Sequence, residues 1–378
     1  MKKRIIPNEH TLILNCARLT TSNQIKEETK KLLTCPIDWD KSIELASLQG
    51  VFPFLYYTLN KYGFQNSIPQ HIFETMKAYY YANIERNFKI ENELLGIIEK
   101  ANYEKIYLIP LRGFIMIHTV YHNPGLRVMD DVDILIKQDQ FHKIKALLAR
   151  LDYKEGFEVA SEELSLNNQP ILFLKKLPSN LMMFLDVHGV LFPSRPYPIT
   201  FPVWERVQEI NINNQAIPCL SQEDMFLCMA LHIRRHTRRL TLKFIVDIAE
   251  LLNTQQDILD WCYINKCAKD DHIVNSVYLA LYLAKEMLDT AISPDVLKSF
   301  CPDIIKRTFI YCIVNRYNFF SLKKLRGIFL RLLLFDGFID ILLYLWRVAF
   351  LERFIVRYFF KKNIAEKRPR HPREKIKK

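Results

Sequence analysis

Apolar positions along this 378-residue chain change their period twice. Over residues 1–104 they recur at helical spacing. In "WDKSIELASLQGVFPFLYYTLNKYG", Ile43, Leu45, Leu48, Val51, Phe52 and Leu55 fit one helical run, and Gly63 suits its end. "QHIFETMKAYYYANIERNFKIENELLGIIEKAN" predicts a long helix, with no Gly or Pro before Gly96.

Over residues 105–220 the period shortens. "KIYLI" predicts a strand ended by Pro110, and "GFIMIHTVYH" a helix opened by Gly113. "PGLR" predicts a turn and "DVDILI" a second strand. "QDQFHKIKALLARLDY" carries Phe141, Ile144, Leu147 and Leu148 on one helical face. "QPILFLKK" and "LMMFLDVHGVLF" predict a hairpin through "LPSN". Strand, helix, strand, helix, strand, strand is the order of a small mixed sheet with helices on it.

From "SQED" the helical period returns and runs to about Phe360, with Ser221 and Asp224 suited to the first helix start. The most apolar segment, Ile328 to Phe350, is interrupted by Arg331, Asp336, Asp340 and Arg347. That excludes a transmembrane helix and predicts an amphipathic one packed on the protein, an interfacial membrane helix being the alternative. The expected organisation is thus an α+β protein. A helical region spans 1–104, a mixed-sheet core 105–220, a second helical region 221–360 and a basic, disordered tail 361–378.

Within this pattern one stretch breaks the rule. "NPGLRVMDDVDILI" sets acids where a strand begins. Strand alternation sends Val132, Ile134 and Ile136 to the core and turns Asp131 and Asp133 to one shared face. Two carboxylates one step apart repel unless a cation lies between them. Oxygen ligands of this kind suit Mg²⁺. Asp186 interrupts the apolar run of "FLDVHGVLF" in the same way, with His188 on its face. If the two strands are neighbours, three carboxylates converge, enough for two metals or for one metal and a general base. The bland reading is an acidic turn beside an ordinary strand, with Asp186 paired to a Lys or Arg.

Composition narrows the alternatives. With 49% hydrophobic and 25% charged residues the chain is globular, and its nine glycines form neither a dinucleotide fingerprint nor a P-loop. The net charge is +12, but residues 361–378 hold nine Lys and Arg against two Glu, which leaves +5 for the rest. Such a tail can touch nucleic acid or anionic lipid; a solvated end is the simpler account. The eight cysteines form no C-x-x-C pair, and the N-terminus lacks the apolar run of a signal peptide. Reduced thiols in a cytoplasm are expected.

"LRGFIMIHTVYHNPGLRVMDDVDILI", followed by "LDVHGVLF", resembles the uncharacterised nucleotidyltransferases of the DNA polymerase β-like superfamily. Gly113, Asp131 with Asp133, and Asp186 stand where that superfamily has its helix-opening Gly, its Asp-x-Asp strand and its later lone Asp. "SIELASLQGVFPFLYYTL" resembles the family's helical preface, and "LHIRRHTRRLTLKFIVDIAELL" its helical C-terminal part, with His232, His236 and Asp247 at matching places. The likeness covers residues 38–260. It implies transfer of a nucleoside monophosphate from an NTP to an acceptor, with pyrophosphate released. It also implies a two-ion Mg²⁺ site, Mn²⁺ being a substitute. Asp131 and Asp133 would bind both ions; Asp186 would bind the catalytic one and favour deprotonation of the acceptor. Amides around Gly113 would cradle the triphosphate.

The chain departs from this pattern at Arg112-Gly113-Phe114, where the superfamily's Ser hydroxyl is missing and the family's Lys is Arg112. Arg112 can still meet phosphate with forked geometry. The departure keeps open a second reading, a catalytically inactive nucleotide- or RNA-binding protein on the same fold.

The remaining polar residues each have two readings. Arg127 binds phosphate or pairs with Asp130 or Asp131. Asp130 itself reads as a turn residue first, and second as a group supporting the neighbouring carboxylates. His188 reads as a structural histidine, a base being the alternative. His232 and His236, four apart and without H-E-x-x-H, read as cleft-lining together with His188 and Lys243. "RRHTRRLTLK" faces a phosphate or RNA backbone, or only solvent. Asp247 falls four residues after Lys243, as in an ordinary helix pair. The aromatics follow apolar spacing and read as core. The acceptor, whether protein, peptide, small molecule or RNA, has no signature in the sequence.

Overall fold

The computed structural model describes residues 6–156, 170–191, 199–315, 319–321 and 324–346. The expected basic tail lies outside them. Its helices, in chain order, are α1 (Asn8–Cys16), α2 (Asn23–Leu32), α3 (Trp39–Leu48), α4 (Phe52–Lys61), α5 (Gln70–Tyr103), α6 (Gly113–Met116) and α7 (Phe141–Arg150). Then follow α8 (Gln222–His236), α9 (Leu242–Gln255), α10 (Trp261–Asp270), α11 (Val274–Leu288), α12 (Pro294–Ser299), α13 (Ile304–Ile313) and α14 (Lys324–Leu333). The strands are β1 (Leu108–Pro110), β2 (Val132–Ile136), β3 (Lys154–Glu155), β4 (Ile171–Lys176), β5 (Met182–His188), β6 (Gln208–Ile212) and β7 (Gln215–Cys219).

The protein is α+β. A five-stranded mixed sheet has the order β1-β2-β5-β4-β3, and β6–β7 forms a separate hairpin. β2 and β5 are parallel; the other pairs are antiparallel, including the β4–β5 hairpin. Val132, Ile134, Leu135 and Ile136 are all buried, so β2 is covered on both faces and only its acidic end opens outward. α7 presents Ile144, Leu147 and Leu148 to the core and packs beside α5. β3 and the β6–β7 hairpin had no clear sequence pattern: β3 has two residues, and β6 exposes most of its length.

Two predicted helices are broken. The run expected to end at Gly63 is α3 and α4, separated at Gln49-Gly50-Val51, where Gly50 takes φ +69°. The run from Ile328 to Phe350 is also two pieces. α14 ends at Leu333 and the chain turns helical again over residues 338–346, with 347–350 outside the described residues. Asp336 lies at the break, not on a helix face. Its carboxylate accepts from the amides of Val274 (2.7 Å) and Asn275 (2.9 Å), which start α11. Among the described residues no helix is long and apolar enough to cross a membrane.

Candidate active site

The acidic end of β2 is aimed by the loop before it. Asn123 Oδ1 accepts from the Gly125 amide and from the Tyr80 hydroxyl, both at 2.9 Å. Gly125 runs so close to α5 that a Cβ there would sit 2.6 Å from the Tyr80 ring. Asn83 donates to the Gly125 carbonyl (2.9 Å), and Asn87 to those of Pro124 (2.6 Å) and Arg127 (2.8 Å). Arg86 donates to the Met129 carbonyl at 2.8 and 3.2 Å. These α5 side chains satisfy carbonyls that a buried loop would otherwise leave orphaned. They fix the register in which Asp130 and Asp131 enter β2.

Parallel pairing of β2 with β5 sets Asp133 opposite Asp186. Ligand atoms of Asp133, Asp186 and His188 lie within 4.8 Å of one another. Asp131 precedes this trio at the mouth of the cleft. It is open to solvent there yet ringed by protein, and its carboxyl is pushed up first by desolvation and then by the charge of Asp133. Burial would raise Asp133 as well. Instead Arg112 and His188 hold it well below the usual carboxylate range.

Arg112 reaches Asp133 because the chain keeps pairing beyond β1: the Leu111 amide donates to the Asp133 carbonyl at 2.9 Å. The next residue then swings its guanidinium onto the side chain, with Nη2 2.5 Å from Asp133 Oδ1. Arg112 is buried and holds φ 47°, ψ −109°, a strained conformation for a residue with a Cβ. Gly113 is not the strained position, since a Cβ there would meet only ordinary contacts such as Met129 Cγ at 3.5 Å. It opens α6, which continues as a π-helical turn over Ile117–Tyr121. Phe114 is core, its ring 5.1 Å from that of His118.

His188 Nε2 shares Asp133 Oδ1 at 2.8 Å. Its ring is buried, and burial lowers its proton affinity despite the carboxylate. A neutral ring donating from Nε2 fits both facts; Nδ1 has no hydrogen-bond partner among the described residues.

The opposite wall is helical. The rings of His232 and His236 on α8 lie tilted against each other with centroids 4.2 Å apart, and Phe244 on α9 closes the cluster at 4.7 Å from His232. Burial, then neighbouring guanidinium groups, press His236 down to about 3, and His232 is depressed by burial and Arg112. Both rings are neutral. Lys243 Nζ lies 2.8 Å from Asp130 Oδ2, so Asp130 is more than a turn residue. The Lys243 stem runs beside Gly50, where a Cβ would approach its Cδ to 2.7 Å. Gln49 receives the amides of Leu242 (2.9 Å) and Lys243 (3.1 Å), which ties the start of α9 to the break between α3 and α4.

Two expected pairings are corrected here. Arg127 meets neither Asp130 nor Asp131. It forks onto Asp247, with Nε to Oδ1 and Nη2 to Oδ2 both 2.8 Å. Asp247, expected to pair with Lys243 along its own helix, also accepts from the Tyr121 hydroxyl at 2.7 Å. Arg127 is therefore a strut between the loop and α9. The basic run splits as well: Arg234 is buried over the Phe335 ring, while Arg235, His236 and Arg239 face the cleft.

The cleft between the two walls has a volume of about 520 Å³. Arg112, Gly113, Phe114, Arg127, Asp131, Asp133, Asp186, His232, His236 and Lys243 all line it, whereas His188 stands behind Asp133. The sequence reading missed the α5 residues Asn83, Arg86 and Asn87. Their signal was two asparagines four apart in an otherwise apolar helical stripe. A comparison with curated proteins finds no match. A family model described as "uncharacterised nucleotidyltransferase" matches residues 36–289, which takes in both walls of the cleft and the helices that frame them. The chain belongs to this uncharacterised nucleotidyltransferase family, which lies in the polymerase β-like superfamily.

Proposed function

We propose that the cleft transfers a nucleoside monophosphate from an NTP to an acceptor, with a divalent cation, Mg²⁺ or Mn²⁺, and release of pyrophosphate. The observation that carries this reading is the parallel register that sets Asp133 opposite Asp186, with Asp131 one step before them. The donor set suits a hard cation, because carboxylate oxygens dominate it, and a cation would offset both the desolvation of the Asp131 carboxylate and its repulsion by Asp133. Asp131, Asp133 and Asp186 would hold it, and when bound it supplies positive charge beside the reacting phosphate.

The chain's own residues do the rest. The amides at the start of α6 receive phosphate oxygens. Asp186 takes the proton of the acceptor's hydroxyl or amine as the new bond to the α-phosphorus forms. The bond from that phosphorus to the pyrophosphate oxygen breaks, and pyrophosphate departs. His188 and Arg112 orient Asp133.

The test is calorimetric titration with ATP, GTP, CTP and UTP plus Mg²⁺, on wild type and on Asp131→Ala/Asp133→Ala. Metal-dependent binding of one NTP by the wild type, weakened in the variant, is the expected result. No binding by the wild type would sink the reading. The 2.5 Å Arg112–Asp133 pair favours one alternative, a nucleotide-binding protein without transfer, because an arginine occupies the oxygen a metal would use. Binding without label transfer from any α-labelled NTP would establish that alternative.

A further inference from the structure

Among the described residues, five cations and five aspartates line the cleft. Three pairs are made: Arg112 with Asp133, Arg127 with Asp247, and Lys243 with Asp130. Arg235 and Arg239 remain. Among the described residues neither donates a hydrogen bond or forms an ion pair, although both line the cleft. Arg235 is half-buried, and desolvation together with Arg112 makes its charge costly, a cost that Asp133 and Asp186 offset only in part. A half-buried guanidinium without a hydrogen-bond or ion-pair partner among the described residues, facing a cavity beside a second one, has the chemistry of an anion site.

Resting on the transfer reading above, we propose that Arg235 and Arg239 form the clamp for the β- and γ-phosphates of the NTP, in place of the missing hydroxyl at Arg112-Gly113-Phe114. Arg235 stands at the end of α8 and Arg239 in the 3₁₀ turn Thr237–Arg239 that follows, and both line the same cleft. A helix C-terminus repels anions, so any phosphate there is held by the guanidinium forks and not by backbone amides. The Gly113 turn, across the same cleft, supplies the opposite device, amides without a free cation. Arg112 cannot take both parts while it is seated on Asp133. The turn that carries Arg239 is also held in place: α14 crosses it at Gly327, where a Cβ would lie 2.7 Å from Arg238 Cα. A seated turn is what a phosphate clamp requires and what a solvated basic face does not.

The experiment compares non-hydrolysable α,β-methylene NTPs with the matching NMPs, in Mg²⁺, by calorimetry. Wild type, Arg239→Gln and Arg235→Gln/Arg239→Gln are measured, with circular dichroism as the folding control. Arg239 is exposed, so its single variant will fold. The clamp predicts at least a roughly tenfold loss of NTP affinity per arginine, with NMP affinity changed less than about threefold. It also predicts that pyrophosphate competes with NTP for the wild type and not for the double variant. Unchanged NTP affinity in folded variants, or equal losses for NTP and NMP, would overturn the clamp and leave the transfer reading standing. No nucleotide binding by the wild type would overturn both.

Discussion

On the strand wall, Asp131, Asp133 and Asp186 are aimed by alternation along β2 and β5 and by one parallel register. On the helical wall, Arg235, Arg239 and Lys243 come from a helix end, a 3₁₀ turn and a helix start, held by residues far away in the chain. Gln49 ties down α9 from 193 residues upstream, and Arg127 braces it from 120 residues upstream. On the first wall, which side chains share a face is local geometry that a period-two pattern encodes, while α5 fixes the register. The second is tertiary, so its parts have no short-range signature.

The largest expected effect separates two adjacent acids. Asp133→Ala should abolish transfer and also destabilise the fold by about 3–5 kcal/mol in urea unfolding, because it strands the buried Arg112 and leaves His188 without its acceptor. Asp131→Ala should abolish transfer with no loss of stability, since its carboxyl is already disfavoured there. Equal stability losses at the two positions would erase the distinction between an oriented carboxylate and a strained one.

Next comes the strut of the helical wall. Arg127→Ala leaves Asp247 buried with only the Tyr121 hydroxyl, at a cost of about 3 kcal/mol. Arg127→Ala/Asp247→Leu should recover part of that loss, which a double-mutant cycle would measure. If Arg127 contacts phosphate instead, the single variant will bind NTP poorly while unfolding like the wild type.

A smaller effect probes how α5 aims the strand wall. Gly125→Ala forces a methyl against the Tyr80 ring and should cost about 1–3 kcal/mol. Tyr80→Ala in the same chain should relieve the clash and offset part of the cost.

The smallest effect is in pH. The folded-state value of Asp133 is depressed, so its stabilisation is complete above the ordinary carboxylate range and is lost as pH falls through that depressed value. Asp131 is raised and acts in the opposite sense. Its penalty is absent below the ordinary range and grows as pH rises through the raised value. Asp131→Asn should therefore gain stability at neutral pH, and the gain should fade toward pH 4. A gain that persists at acid pH would remove charge as its cause.

The sheet was readable because β4 and β5 alternate and β2 is a short apolar run after a turn, and α5 and α7 because their apolar stripes are long. The unreadable parts have physical reasons. β3 is too short to show a period. Gly50 and Asp336 break helices through contacts with α9 and α11, which lie far away in sequence. At the site, the carboxylates were visible as acids out of phase with burial. The partner of Arg127 was not, because nothing near residue 127 marks residue 247. Arg235 and Arg239 lay in a basic run whose two readings only the fold around it could separate.

On the reading proposed above, the acidic wall drives nucleotidyl transfer. A lysate or purified candidate acceptor, incubated with the protein and Mg²⁺, should acquire label from the α-³²P form of one NTP and none from its γ-³²P form. Asp131→Ala/Asp133→Ala should acquire neither. Label arriving from the γ position, or label from the α position that survives in the double variant, would contradict the account.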